Sequence, residues 1–543
     1  MKSLTNIIIK NSKRQEIQET LKEKILSFIA FIIVFGFLTV TMISISYTVT
    51  YKLKEINQTY TFINILLLMN FIILFAKSVF ESLNVLYFSK DLKQLLKMPI
   101  KPKDIVHAKL INMIISEYQM EIIMLAIPMI IYGIIMRVKI LFYLYILITL
   151  IILPIIPIIT TSIITAIIMR FSNKLKNKAQ VMYITIIVTA IIIDFLFTGF
   201  KPISVSNYEF EKAILEKNGV ATIISNQFAL LKPIMNTILN YNNIEGAKNL
   251  TIYILESLSI YIVGLFIISK VYLKGAIGTT INSKKAKKEN KKLTINDFKQ
   301  EKANKAYLKK ELRTILRTPI FCIQCIIIPL IYPLIILSVL IIAIILSKNM
   351  GVNITEKLLE IINTSSGQAI FLGVAQVFFM MNFCSIIGIS KDSKTAILTK
   401  TLPMELNNQF DIKTKIGKRI NLLSTVIVTF AYYYTVQNIN ASIIVFSILY
   451  LMNSIGENIK LLIDIKKPQI NWNSEYTMMK QNTNVMNVLF YTLAVLMGLL
   501  VISKIIKKAN IFLVTLLIIS LVAYLAITNY INKNQNKIFR KIY

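Results

Sequence analysis

The sequence contains few of the residues on which metalloenzymes and disulfide-stabilised proteins depend. Its 543 residues include one histidine, His107, and three cysteines. These numbers exclude a disulfide framework, and since no His-Glu-x-x-His stretch is present we expect no metal site and no catalytic residue. Cys322 and Cys325 have the spacing of a redox pair. They begin an apolar run rather than a soluble βαβ unit, which makes a redox role a minor interpretation.

Acidic residues are scarce as well. Only 27 Asp and Glu oppose 61 Lys and Arg, which gives a net charge of +34. On a soluble chain this excess would indicate nucleic-acid binding. Most of the basic residues fall in polar segments on one side of the predicted membrane helices, so the charge indicates topology, and we expect no nucleic-acid partner. Basic inner loops also suit contact with anionic membrane lipid.

Apolar residues dominate the chain. They make up 55% of it, only 16% of residues are charged, and the mean hydropathy is +0.65. Apolar runs long enough to cross a bilayer predict about twelve spans. The predicted spans lie near 25–49, 59–87, 110–136, 140–169, 181–197, 250–272, 319–346, 367–389, 420–436, 442–463, 485–503 and 511–531.

These runs predict an all-α polytopic membrane protein with two six-helix halves. The first half covers residues 1–273, a basic linker and interfacial helix cover 274–318, and the second half covers 319–543. The positive-inside rule places both termini in the cytosol and the protein in the cell membrane as a multi-pass protein. The first apolar run is too long for a cleaved signal peptide, so it is interpreted as an uncleaved helix.

The linker ends in an amphipathic pattern. Residues 274–318 contain fourteen Lys or Arg and four acidic residues, as expected for a solvated segment. At its end, apolar residues share one helical face and basic residues lie elsewhere, which predicts an interfacial helix along the inner leaflet. The residues assigned to this elbow helix are Leu308, Leu312, Arg313, Leu316, Arg317 and, at the turn into the next span, Pro319. The N-terminal segment takes the equivalent place before the first half.

A repeat supports the division into halves. Ser89-Lys90-Asp91 follows the second predicted span and Ser390-Lys391-Asp392 follows the eighth. Each tripeptide is followed by a proline, Pro99 or Pro403, and then by a basic return to the next span, at Lys109 in the first copy. A short helix, a proline break and a basic return predict a compact cytosolic loop in each half.

These motifs resemble the permease subunit of an ATP-binding cassette exporter of the second type, in the fused form with twelve spans. The resemblance covers nearly the whole chain. It rests on the two Ser-Lys-Asp loops, on Lys310-Glu311-Leu312-Arg313 before the seventh span, and on a loop from Asp464 through Pro468 and Trp472 to Asn482.

The resemblance implies that the loops at 88–109 and 390–418 are coupling elements that dock on two copies of a soluble ATPase subunit. Their coupling residues are Ser89, Lys90, Asp91, Pro99, Lys109, Ser390, Lys391, Asp392 and Pro403. The loops are not identical, because Glu405 to Asn408 replaces Lys101-Pro102-Lys103, and they need not dock in the same way. The resemblance does not identify the transported substrate.

The sequence lacks the nucleotide-binding motif Gly-x-x-x-x-Gly-Lys-[Ser/Thr], whose backbone amides wrap phosphates. We therefore expect that the chain is not an enzyme by itself. It should carry no cofactor, with ATP and Mg²⁺ bound by the partner ATPase.

Carboxylates inside predicted spans are the remaining candidates for function, because a buried charge costs several kcal/mol unless it is paired or hydrated. Glu117 and Glu121 share one face of the third span and are the candidates for a translocation path. The alternative is that both reach interfacial water or pair with Lys109. Lys77 and Glu81 are expected to neutralise each other.

Two alternatives stay open. Two parallel six-helix halves also describe an ion- or proton-coupled secondary transporter, although few titrating groups lie in its spans. A membrane enzyme acting on lipid or peptide, or an assembly protein, is less favoured because no nucleophile–base or metal constellation is visible.

Overall fold

A computed structural model of the chain shows a helical protein in two compact units. It describes residues 21–89, 91–171, 181, 183–189, 191, 213, 216–285, 301–334, 337, 359–470, 472, 475–480 and 482–539. Unit 1 contains Phe35–Lys292, and unit 2 contains Leu293–Tyr543 together with the beginning of the first helix as far as Val34. The described residues form no strand, and their one isolated β-bridge joins Thr364 to Lys508.

The described residues of unit 1 are helical almost throughout, and its first helix begins in unit 2 and enters unit 1 at Phe35. The helices are α1 (Leu21–Glu55), α2 (Thr59–Ser82), α3 (Leu92–Leu95), α4 (Pro102–Glu121), α5 (Ile127–Met136), α6 (Ile140–Ile152), α7 (Ile155–Arg170), α8 (Gly219–Gln227), α9 (Lys232–Leu239) and α10 (Ile244–Lys285). Turns of π-helix, Leu83–Phe88 and Ile122–Ala126, prolong α2 and α4. Pro102 starts α4 at a position where its missing N–H leaves no bond unmade.

Unit 2 follows a similar order. Its helices are α11 (Ala303–Arg317), α12 (Pro319–Cys322), α13 (Ser365–Met380), α14 (Leu406–Val436), α15 (Ile439–Lys466), α16 (Glu475–Lys480), α17 (Thr483–Ile505) and α18 (Ala509–Phe539). A π-helical turn, Ile323–Ile327, continues α12, and a 3₁₀-helix spans Ser390–Lys400. Thr364, Asn438 and Asn482 cap α13, α15 and α17 by accepting bonds from backbone amides, as short polar side chains do at helix starts.

The described residues contain eight helices that are long and apolar enough to cross a membrane. These are Ile32–Glu55, Thr59–Phe88, Pro102–Met136, Ile140–Arg170, Ile244–Ile277, Ile439–Lys466, Thr483–Ile505 and Ala509–Asn534. A ninth forms if α11 and Pro319–Leu334, which meet at a 103° bend, make one span. The structure thus shows a helical membrane protein, while twelve spans and cytosolic termini stay predictions.

Several predicted spans differ from the structure. The predicted span at 367–389 corresponds to the shorter apolar helix Ser365–Met380, and the span at 420–436 lies within the longer α14. Of the span predicted at 181–197, residues 182, 190 and 192–197 lie outside the described residues, as does the part of 319–346 after Leu334 except residue 337. The bounds of the three predicted domains also stay predictions.

Each unit has its own apolar core. In unit 1, Phe71, Tyr132, Phe142 and Tyr253 belong to a cluster of buried side chains. In unit 2 the corresponding cluster includes Leu372 and lies among α13, α14, α15, α17 and α18. Many large apolar side chains on the long helices are exposed, including Ile140 and Ile262. A bilayer would cover such surfaces.

A glycine allows one of the close helix contacts of unit 1. A Cβ atom placed on Gly264 of α10 would lie 2.2 Å from Cγ2 of Ile159 on α7. Ile159 is branched at Cβ and strongly prefers one χ1 rotamer in a helix, so rotating this methyl group away is unfavourable. Small residues at such crossings allow membrane helices to approach closely.

We expect Gly264→Ala to lower the free energy of unfolding by about 1–3 kcal/mol, because the added methyl group overpacks the contact between α7 and α10. Gly498→Ala is the matched control, since a Cβ at Gly498 meets no atom within 4 Å. Thermal unfolding in detergent measures both variants. A melting temperature for Gly264→Ala that equals that of Gly498→Ala would contradict this packing.

Candidate functional site: a buried ion-pair node

Charged side chains from three separate elements of unit 2 meet in one cluster, which we call the ion-pair node. It consists of Lys310 and Glu311 of α11, Lys391 and Asp392 at the start of the 3₁₀-helix, and Lys413 of α14. Glu311 lies 2.5 Å from the Lys391 Nζ atom and 3.1 Å from that of Lys413. The two ammonium groups therefore bracket one carboxylate.

Asp392 completes the node. Its carboxylate lies 2.9 Å from Lys413 Nζ and 3.0 Å from Lys310 Nζ. Lys413 also donates to the backbone carbonyl of Gly388 at 2.7 Å. Charge-assisted hydrogen bonds, which are stronger than bonds between neutral groups, thus hold the three elements together. They link α11 to residues 82 and 102 positions away, and Asp392 to Lys413 across 21 positions.

The node is buried and nearly neutral. The side chains of Glu311 and Lys413 are 0% exposed, those of Lys391 and Asp392 are 2% and 8% exposed, and that of Lys310 is about half exposed. The four buried groups are two cations and two anions. Removing one member leaves a buried charge without its partner, and the whole set is stable only together.

The surroundings hold all four buried groups in their charged forms. Burial alone would raise the pKa of Glu311, but Lys391 and Lys413 outweigh it and hold that pKa below its usual range. Asp392 is also buried, and mainly Lys413 holds its pKa below the usual value. Burial would lower the pKa of both lysines. Glu311 raises the pKa of Lys391 above its usual value, and Glu311 with Asp392 raises that of Lys413 well above it.

The direction of these shifts fixes the pH range in which the node contributes to stability. The lowered carboxyl pKa values mean that this contribution is lost only as the pH falls below about 4, the range in which carboxyl groups of the unfolded chain titrate. The raised lysine pKa values mean that it is lost only above about pH 10. Between these limits the charges of the node do not change.

A second buried carboxylate fixes the beginning of the 3₁₀-helix. Asp464 of α15 accepts bonds from the backbone amides of Ile389 at 2.6 Å and Ser390 at 3.0 Å, and from the Ser390 hydroxyl. Trp472 donates its indole N–H to the Ser390 carbonyl at 3.0 Å. The backbone N–H of Gln469 donates to the Ser390 hydroxyl. Two loops that the sequence analysis singled out separately therefore meet at Ser390.

Unit 1 contains a smaller arrangement around Lys109. This buried side chain donates to the Val85 carbonyl at 2.7 Å and to the Ser89 hydroxyl at 2.8 Å, and its Nζ atom lies 3.7 Å from the Asp91 carboxylate. Lys109 and Lys413 thus both hold the loop that precedes their helix by binding a backbone carbonyl and an aspartate. Lys90 lies outside the described residues.

The two predicted prolines and the predicted elbow residues lie on the surface. Pro99 and Pro403 are exposed near the ends of their loops. On α11 the residues packed against protein are Tyr307, Glu311 and Ile315. The predicted apolar face differs from this buried face, because Leu312 and Leu316 are exposed and Leu308 is half-buried. Arg313 and Arg317 are exposed, and Pro319 is buried at the start of α12.

The predicted pairing of Lys77 with Glu81 is wrong. Lys77 forms its ion pair with Glu117 on the next span, while Glu81 accepts a hydrogen bond from Ser116 at 2.8 Å. Packing between helices therefore decides the partner of Lys77, rather than the spacing of four residues along its own helix. Pairing of Glu117 or Glu121 with Lys109 is also not observed, because Lys109 is bound to the Ser89 loop.

The sequence analysis missed a buried polar cluster in unit 2. Glu457 of α15 accepts bonds from Lys460 at 2.7 Å, Asn421 at 2.9 Å and Ser385 at 2.5 Å. Asn421 also bonds to Asn382 and Asn453. The available signal was a glutamate and a lysine three positions apart within an otherwise apolar span. Such residues face protein rather than lipid.

The described residues contain no group of three or more His, Cys, Asp or Glu side chains able to hold a metal ion. In the same part of the chain the three cysteines are free and buried. The node offers no catalytic group, and its effect is to hold helices together. It fixes α11, the 3₁₀-helix and the beginning of α14 as one body through groups that keep their charge over the physiological pH range.

Comparison with known proteins gives one match. Residues 31–456 match the model of a family described as "Putative ATP-binding cassette". No curated protein and no solved structure matches the chain.

This match corrects two predictions. The sequence predicts a permease subunit that works with a separate ATPase, and a chain that is not an enzyme by itself because it has no nucleotide-binding motif. The family description is that of an ATP-binding cassette over most of the chain, which points to an ATPase and to nucleotide binding in this chain. The sequence still has no Gly-x-x-x-x-Gly-Lys-[Ser/Thr] stretch, so any nucleotide contact that the chain makes uses other residues.

We expect Lys413→Met to lower the free energy of unfolding by roughly 3–5 kcal/mol, because it leaves the buried Glu311 and Asp392 carboxylates short of a counter-charge. Lys309→Met is the matched control. Lys309 is the neighbour of the node on α11, is about half exposed and pairs only with Glu301, so its loss should cost about 0–1 kcal/mol. Unfolding in detergent at neutral pH gives both values. Equal effects of the two variants would show that the node is not coupled to stability.

Proposed function

Since the chain belongs to the ATP-binding cassette family, we propose that it works in ATP-dependent transport across a membrane, and that the ion-pair node transmits nucleotide-dependent movement to the helices of unit 2. Membership rests on the match over residues 31–456. The membrane role is supported by eight long apolar helices among the described residues.

The observation that carries the mechanical proposal is the position of the node. Lys391 and Asp392 begin the 3₁₀-helix, whose following residues reach the surface near Pro403. Lys413 lies in the charged N-terminal part of α14, and this long helix continues to Val436. A force applied to the surface loop therefore reaches α14 through the Asp392–Lys413 pair and α11 through Glu311. The Lys109 arrangement supplies a weaker version of the same link in unit 1.

The basic segments locate the node on the cytosolic side in this proposal. Residues 274–318 include α11 and carry fourteen basic residues. Such basic segments stay on the inner side of a membrane. The same charge asymmetry supports a multi-pass protein of the cell membrane with cytosolic termini. The exposed Leu312 and Leu316 side chains of α11 are available to contact lipid at the inner leaflet.

Hydrogen exchange with and without nucleotide tests the role of the node. The protein is purified from its native membrane with whatever remains bound to it, and exchange of the Ser390–Lys400 amides is followed by mass spectrometry. We expect Mg²⁺-ATP with vanadate to change this exchange in the unmodified protein and in Lys309→Ala. Asp392→Asn should lose the response, because the neutral amide releases Lys310 and Lys413 from one of their counter-charges.

An unchanged nucleotide response in a folded Asp392→Asn protein would contradict the role of the node. No response in the unmodified protein, in a preparation that hydrolyses ATP, would contradict it as well. Elution volume and melting temperature of each variant show whether it has folded.

Photolabelling of the same preparation with an azido-ATP determines which chain contacts the nucleotide. Label on this chain is the result that the family membership predicts. Label confined to a co-purifying chain would contradict nucleotide binding here. The same purification tests the expected association with two copies of a soluble ATPase and the expected binding of ATP and Mg²⁺ by that partner, both of which stay predictions.

A further inference from the structure

One carboxyl group in unit 1 is buried without a partner. Glu121 is the last residue of α4, within the candidate span Pro102–Met136, and only 1% of it is exposed. Neither of its carboxyl oxygens has a hydrogen-bond partner. A carboxylate in such a place, charged and alone, costs several kcal/mol, so a positive charge or a proton must accompany it.

The neighbouring charges do not supply that partner. Lys77 of α2 is bound to Glu117, one turn before Glu121 on α4. The other titratable groups of this region are Tyr118 on α4, Tyr253 and Glu256 on α10, and Glu81 on α2, which accepts a hydrogen bond from Ser116 of α4. None of these groups can provide a cation. Glu117 is balanced by Lys77 and Glu256 is only partly buried, so the charge that burial penalises here is that of Glu121, whose two oxygens are both without a partner.

A second buried polar atom lies on the helix that packs against α4. The hydroxyl of Tyr253 is in the unit 1 core, is 0% exposed and has no hydrogen-bond partner. Tyr253 belongs to α10, which packs directly against α4. A phenol oxygen can accept a bond from a cationic donor or coordinate a small cation, and it can donate to a carboxylate.

The backbone supports a functional role for this position. The π-helical turn Ile122–Ala126 starts at the residue after Glu121. Single π-helical turns within longer helices are frequent at functional sites, because they shift side chains away from regular helical positions.

We propose that the Glu121 carboxyl and the Tyr253 hydroxyl form a binding site for one monovalent cation, which is a proton when no larger cation is bound. The site is separate from the ion-pair node and does not depend on the function proposed above. It takes one positive charge because the Glu121 carboxyl supplies one negative charge and Lys77, the cation of the neighbouring helix, is paired with Glu117.

Carbodiimide labelling tests this site. Dicyclohexylcarbodiimide enters apolar regions and reacts with protonated carboxyl groups, and peptide mass spectrometry locates the adduct. In the full-length protein in detergent we expect an adduct on Glu121 and none on the ion-paired Glu117 or Glu311. Above the pKa of Glu121, labelling should fall roughly tenfold for each further pH unit, because the reactive acid form falls by that factor.

Cation competition distinguishes the occupants. Labelling is measured at one pH with Na⁺, K⁺ or choline at equal ionic strength. Protection by one of them identifies a cation that displaces the proton, and equal labelling in all three, with the pH dependence retained, identifies the proton as the occupant. Labelling of Glu121 that changes with neither pH nor cation would overturn the proposal, as would absence of labelling at every pH.

Three variants separate a binding site from a merely buried acid. Glu117→Gln frees Lys77, whose ammonium group is then available to Glu121, so labelling of Glu121 should be lost. Tyr253→Phe keeps the ring and removes the hydroxyl, and should shift the pH at which labelling is half complete. Tyr261→Phe, on the same helix, is the matched control and should leave it unchanged. Identical titration curves for Tyr253→Phe and Tyr261→Phe would remove Tyr253 from the site and overturn the two-residue proposal.

Discussion

The contact of Glu311 with Lys391 and Lys413 is the interaction that holds α11, the 3₁₀-helix and the beginning of α14 together. The carboxylate is fully buried, lies 2.5 Å from the Lys391 Nζ atom and accepts a hydrogen bond from the Lys413 Nζ atom at 3.1 Å. Each of the three residues belongs to a different element, so none of the three elements can move alone without separating buried charges. Because both lysines stay protonated and both carboxyl groups stay ionised near neutral pH, protonation does not release the node. In the function that we propose, a movement of the loop would therefore move all three elements together.

The same physical constraint explains the other polar groups within the helices. Asp464 is matched by two backbone amides and the Ser390 hydroxyl, and Glu457 by Lys460, Asn421 and Ser385. In unit 1, Lys77 is matched by Glu117. Such polar contacts join helices in a setting where the hydrophobic effect contributes little to helix association, because lipid tails are as apolar as the side chains. Glu121 does not follow this pattern, which is why a ligand is inferred there.

The sequence predicts the fold class better than it predicts the contacts between side chains. Composition and apolar runs predict a helical membrane protein, and the repeated Ser-Lys-Asp tripeptide draws attention to Ser390, Lys391 and Asp392 before their partners are known. Glu311 was part of a recognised motif, yet its role was invisible because its partners lie 80 and 102 positions further along the chain. Sorting α11 by apolarity selects Leu312 and Leu316, which are exposed, whereas the face that packs against protein carries Tyr307, Glu311 and Ile315. The pairing of Lys77 was predicted wrongly for the same reason: local spacing suggested Glu81, and tertiary packing brings Glu117 closer.

A double-mutant cycle between Glu311 and Lys413 tests the central claim most directly. Glu311→Gln, Lys413→Met and the double variant are compared by their free energies of unfolding in mixed micelles. If the node acts as a unit, the double variant costs less than the sum of the single variants, by about 1–3 kcal/mol, because the second substitution removes a charge that the first had left unpaired. Additive effects, equal to the sum within about 0.5 kcal/mol, would contradict the account, since they would show that the two charges do not depend on each other.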